Sequence, residues 1–100
     1  MRAKPEQSVA WLRARMAELD IASLDHLAEL AGSDKGNLSR IFRQQQRPRV
    51  DALEPLALAL EVSVYEVLVR IGAVDPANDL QAAKNSGYPI VTYRWPVNDS

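Results

Sequence analysis

Apolar residues recur at helical spacing along the first two thirds of the chain. Val9, Leu12, Met16 and Leu19 are separated by three, four and three positions, the single buried stripe of a helix from about Ser8 to Leu19. Leu27, Leu30 and Ala31 form a second inward set, over a helix of about 24–31, and Leu38, Ile41 and Phe42 a third, over about 35–42. Ser23 and Asp34 stand where N-caps belong, and Gly32 sits between the two helices where a tight turn needs positive φ. A fourth helix is expected near Val50 to Leu60. Pro55 falls inside it, so it either starts late, near Glu54, or kinks. Ser63-Val64-Tyr65-Glu66 reads as a capping box opening a fifth helix, with Val67, Leu68 and Ile71 inward and Gly72 as C-cap.

After Gly72 the pattern changes. Asp75-Pro76 is a weak helix start running through Leu80 to Lys84, and Asn85-Ser86-Gly87 is a turn. From Tyr88 to Val97, β-branched and aromatic residues (Ile90, Val91, Thr92, Tyr93, Trp95) predict a strand bounded by Pro89 and Pro96. The expected organisation is a helical domain over residues 1–73, a linker over 74–87 and a β-strand tail over 88–100. The fold class is all-α with that short tail. A lone strand needs a partner. Alternate faces carry Ile90, Thr92 and Arg94 against Val91, Tyr93 and Trp95, so pairing with a second copy would satisfy the backbone and bury Trp95.

Two short capped helices around a glycine turn are the pattern of a helix-turn-helix, whose second helix lies in the DNA major groove. Around this core the chain resembles the phage-repressor and Cro family, the lambda-repressor-like fold, without a gap from about Leu12 to Ile71. The matching positions are Ser23, Leu27, Ala28, Gly32, Leu38, Ser39, Arg40, Ile41, Pro48, Leu53, Leu56, Ala57, Leu60, Val62, Ser63 and Leu68. The resemblance implies a five-helix domain that recognises a double-stranded operator. Base-reading positions of relatives fall on Lys35, Gly36, Ser39 and Arg40, and Gly36 lacks the side chain that often reads there. Leu24 replaces a phosphate-binding glutamine. Phe42 replaces a glutamate that would pair with Arg15, so Phe42 is expected to pack near helix four and Arg15 to turn to solvent or phosphate. More faintly, Tyr88-Pro89-Ile90-Val91 resembles the segment leading into the self-cleaving domain of longer phage repressors, which would make the tail the start of a truncated C-terminal domain.

Charge sharpens this picture. The formal net charge is -1, which alone argues against nucleic acid. Residues 1–50, however, hold nine basic and six acidic residues, while residues 51–100 hold three basic and seven acidic. From Lys35 to Arg49 there are five basic residues and no acid. A run of charge is most often a solvated face; here it lies on the second helix and the loop after it, where a local positive field attracts phosphate. Lys35 and Arg40 can donate to guanine O6 and N7. Asn37, Ser23 and the amides opening the helix of about 24–31 can donate to phosphate, and Arg43, Arg47 and Arg49 are placed for phosphate or the minor groove.

Other chemistry is thin. There is no cysteine, and His26 is the lone histidine, so no metal cluster and no histidine-based triad is assigned. Gly-rich phosphate loops are absent. No catalytic residue or cofactor is expected, and an enzyme is not the reading. An apolar content of 47% in 100 residues suits one small domain. No apolar run is long enough to span a membrane, and Met-Arg-Ala-Lys-Pro-Glu-Gln lacks a signal-peptide core, so a cytoplasmic location is expected. The expected function is transcription regulation, most simply a homodimeric repressor on a two-fold operator. The alternatives are an antitoxin whose tail grips a toxin, and an adaptor that keeps the fold without binding DNA.

Overall fold

Five helices carry the domain in the computed structural model, which describes residues 1–77. They are α1 (Pro5–Glu18), α2 (Leu24–Ala31), α3 (Lys35–Phe42), α4 (Val50–Leu60) and α5 (Val64–Arg70). The described residues are thus all-α, as expected. The strand expected over 88–100, with Ile90, Val91, Tyr93 and Trp95, and most of the linker lie outside them. No helix among the described residues is long and apolar enough to cross a membrane.

The core gathers one face from each helix: Leu12 and Met16 from α1, Leu27, Ala28 and Ala31 from α2, Leu38, Ile41 and Phe42 from α3, Leu56, Ala57 and Leu60 from α4, Val67 from α5, then Ile71 just beyond it. α2 packs on both α3 and α4, α4 on α5, and α1 closes the bundle against α3 and α5. Leu30 departs from expectation. It is 53% exposed, and Ala28 takes its place in the core, because a helix of eight residues has room for one narrow stripe at 27, 28 and 31.

Several local expectations are corrected. α1 opens at Pro5, not Ser8: proline suits the first helical position, where its missing N–H has no partner anyway, and the Gln7 side chain accepts from the Lys4 amide at 2.8 Å. Ser8 is therefore interior. It is fully buried, its hydroxyl donates to the Arg70 carbonyl, and it accepts from Gln44 Nε2 at 2.8 Å. α4 starts at Val50 despite Pro55. Asp51, whose carbonyl loses the Pro55 donor, and Pro55 itself are both exposed, so water can replace the lost bond. Ser63 does cap α5, accepting from the Glu66 amide at 3.0 Å, but Glu66 turns away from the box to accept from Arg70 Nε at 2.6 Å.

Phe42 is buried as expected, in one core cluster with Leu56, Ala57 and Leu60 of α4, and it also meets α1. Its ring stacks on Trp11 with centroids 6.4 Å apart, and the Arg70 guanidinium lies 5.3 Å over the other ring system. Arg15 goes neither to solvent nor to phosphate. Its Nε donates to the Leu60 carbonyl at 2.9 Å and its guanidinium to the Glu61 carbonyl at 3.1 Å, closing the exposed end of α4, where Glu61 adopts left-handed backbone at φ 57°. At the other end of the chain, the Met1 ammonium donates to Asp75 Oδ1 at 2.6 Å and the Ala77 amide to the same oxygen at 2.9 Å. Together they hold the Asp75 carboxyl below the usual carboxylate range.

Candidate nucleic-acid interface

The α2–turn–α3 unit is built from its caps. Ser23 Oγ accepts from the His26 amide at 3.1 Å and Asp34 Oδ1 from the Asn37 amide at 2.8 Å. Between them Gly32 ends α2 at φ 66°, and the Ser33 amide reaches back to the Ala28 carbonyl at 2.8 Å. With Leu38, Ile41 and Phe42 pinned in the core, the outer face of α3 is Lys35, Gly36, Ser39, Arg40 and, at its C-cap, Arg43. Lys35, Arg40 and Arg43 are exposed, and Gly36 and Ser39 are half-buried.

Arg40 is held, not loose. Its Nε donates to Gln46 Oε1 at 2.9 Å. Gln46 donates in turn to Asn37 Oδ1, and Asn37 Nδ2 donates to Ser33 Oγ at 2.9 Å. A hydrogen-bond chain thus runs from the helix turn to the arginine and fixes its Nε. Gly36 belongs to the same arrangement. A Cβ there would meet Arg40 Nη1 at 3.3 Å, so the missing side chain is what lets the guanidinium lie back over the first turn of α3.

The remaining expected site residues divide. Asn37 is occupied by Ser33 and Gln46 and is not presented to a phosphate. Arg47 is exposed, but its guanidinium is bonded within the fold: it donates to the Ile71 carbonyl at 2.7 Å and the Gly72 carbonyl at 3.3 Å, satisfying the end of α5. Arg49 stays at the surface, 3.3 Å from Asp51, in a pair whose side chains are both mostly exposed. Lys35 lies 3.9 Å from Asp25, also exposed. Such pairs are worth about 0–1 kcal/mol and exchange readily for another anion. Ser23 is exposed at the start of α2, its oxygen already accepting, so only its O–H remains to donate.

The sequence reading missed two participants. Gln46 was one polar residue in a polar loop. Its role depends on a side-chain contact nine positions from Asn37, which no local pattern announces. Arg13, on α1, is exposed and lines the same cleft as Ser39 and Arg43. Its only signal was a basic residue on the polar side of an amphipathic helix. Among the described residues no group of histidine, cysteine, aspartate and glutamate is arranged to hold a metal ion.

Comparison with protein-family models, with curated proteins and with solved structures returns no match, so the functional reading rests on the site itself.

Proposed function

We propose that the chain is a sequence-specific double-stranded DNA-binding transcription regulator of lambda-repressor-like fold, acting as a homodimeric repressor that places α3 in the major groove of a two-fold operator. The observation that carries this reading is the outer face of α3. Lys35, Gly36, Ser39, Arg40 and Arg43 project together from a helix whose other side is locked in the core, and the helix has no acidic residue after its cap. Arg40 and Lys35 read base edges, Arg43 and Arg49 hold phosphates, and Gly36 allows the backbone to come close. Selection of bound sequences from random duplex DNA tests the reading, and failure to enrich any sequence refutes it.

Within this reading base contacts discriminate and phosphate contacts only position. Arg40→Ala and Lys35→Ala should each lose about 1–3 kcal/mol of preference for operator over scrambled DNA, whereas Arg43→Ala should weaken both alike. Gln46→Ala should share part of the Arg40 defect, because it releases the Nε anchor. Binding isotherms on the two duplexes separate these cases. If Arg40→Ala lowers both affinities equally, its base-reading role is wrong.

One recognition helix covers only a few base pairs, so specific binding requires two copies about one helical turn apart. We assign that contact to the apolar tail residues Ile90, Val91, Tyr93 and Trp95, which lie outside the described residues. Deleting 86–100 should leave a folded monomer with weak operator affinity. Sedimentation at micromolar concentration checks this, and a truncated protein that remains dimeric overturns the assignment.

A further inference from the structure

We propose that the cleft between α1 and α3 binds a small amphipathic carboxylate, and that this ligand competes with DNA. The cleft has a volume of about 270 Å³. Its floor is apolar, formed by Leu12, Met16 and Phe42, which are buried, with Val9 and Leu24 beside them. Its remaining walls are Arg13, Ser39 and Arg43, and none of the described acidic residues lines it.

The two arginines are the distinguishing feature. Every other arginine among the described residues has an internal partner. Arg2, Arg15 and Arg47 donate to carbonyls, Arg40 to Gln46, and Arg49 and Arg70 to carboxylates. The Arg13 and Arg43 side chains have no hydrogen-bond or ion-pair partner among the described residues, and both stand on this one cleft. An apolar floor of low dielectric strengthens the field of two guanidiniums at its mouth, and guanidinium binds carboxylate through paired N–H donors. The occupant that satisfies both parts is an aliphatic or aryl body bearing one carboxylate. The volume lies just below the usual range of small-molecule pockets, so the body is that of a medium-chain acid, not a larger cofactor.

Competition follows from shared residues. Arg43 and Ser39 belong at once to the cleft and to the outer face of α3. A carboxylate on Arg43 takes the guanidinium assigned above to a DNA phosphate. This half of the proposal rests on the DNA-binding reading, whereas ligand binding does not.

Octanoate and its neutral analogue 1-octanol are the probes, titrated into the full chain and followed by amide NMR. Octanoate should saturate, shifting the amides around Leu12, Met16 and Phe42. Arg13→Ala and Arg43→Ala, both at exposed positions that leave the fold intact, should each weaken it about tenfold, the loss of one charged hydrogen-bonded contact. 1-Octanol should bind more weakly and equally to all three proteins. On a selected operator, saturating octanoate should lower DNA affinity. Non-saturating octanoate, or affinity unchanged in the arginine variants, overturns the site. Octanoate binding that leaves DNA affinity unchanged overturns the competition. Arginine-dependent octanoate binding by a chain that binds no DNA supports the site and removes the DNA reading instead.

Discussion

Raising salt from 50 to 200 mM should cost the proposed homodimer about three orders of magnitude in affinity for its selected operator. The expectation comes from counting free cations, not from net charge. Among the described residues, Arg13 and Arg43 have no partner anion. Arg49 has one in an exposed pair that a phosphate can replace. Counting Arg13 with them, because it shares a cleft with Arg43, three such contacts per subunit give about six per dimer, and each contributes roughly 0.9 to the slope of log affinity against log salt. Arg47 supplies the control. It lies in the same basic run, but its guanidinium is committed to the carbonyls ending α5. Arg43→Ala should therefore reduce the slope by about one contact per subunit. Arg47→Ala should leave the slope unchanged and lower the melting temperature. Anisotropy titrations of the labelled operator at several salt concentrations measure all three. A flat response of the parent protein, or equal slope changes in the two variants, would sink the phosphate assignment.

The contrast between Arg43 and Arg47 also marks how far the sequence could be read. Caps and turns are local: Ser23, Gly32, Asp34 and Ser63 act on amides within about four positions, and each was legible. Most of the inward stripes were legible too, but Leu30 lies outside and Val9 and Leu68 are only half-buried, away from the core cluster. What escaped was long-range. Arg15 reaches 45 positions to Leu60, Arg47 reaches 24 to Ile71, and Gln44 reaches 41 to Ala3. Long polar side chains look alike in sequence whether they wait for a ligand or bond a distant carbonyl. Five of the residues expected at the DNA face (Lys35, Gly36, Ser39, Arg40 and Arg43) came together on α3 because they share one helix. Asn37 and Arg47 are hydrogen-bonded by groups that only the fold supplies.

Gly72→Ala should destabilise the domain by about 3 kcal/mol, while Gly32→Ala should cost only about 1 kcal/mol. The two glycines have nearly the same backbone, φ 75° and 66°. Left-handed backbone costs any L-residue roughly 1–2 kcal/mol, so that part is common to both. Their surroundings differ. A Cβ on Gly32 would meet nothing within 4 Å. A Cβ on Gly72 would lie 2.6 Å from Gln44 Nε2 and 2.7 Å from the Ala3 carbonyl oxygen. Those two groups are hydrogen-bonded to each other at 2.9 Å, and Gln44 also donates to the buried Ser8 hydroxyl, which closes on Arg70. The methyl cannot be accommodated by moving one flexible end, because the carbonyl is backbone and the amide is already committed. Overpacking of this kind adds roughly 1–3 kcal/mol. For a domain of this size each kcal/mol lowers the melting temperature by roughly 4–8 °C, so Gly72→Ala should melt at least about 12 °C below the parent and Gly32→Ala only about 4–8 °C below. Thermal unfolding followed by circular dichroism reads both. Adding Gln44→Ala to Gly72→Ala should not restore the parent value, since the Ala3 carbonyl remains and Ser8 loses its donor. If the two glycine variants melt together, the junction of α1, the loop after α3 and the end of α5 is not the tightly packed hub that these distances describe.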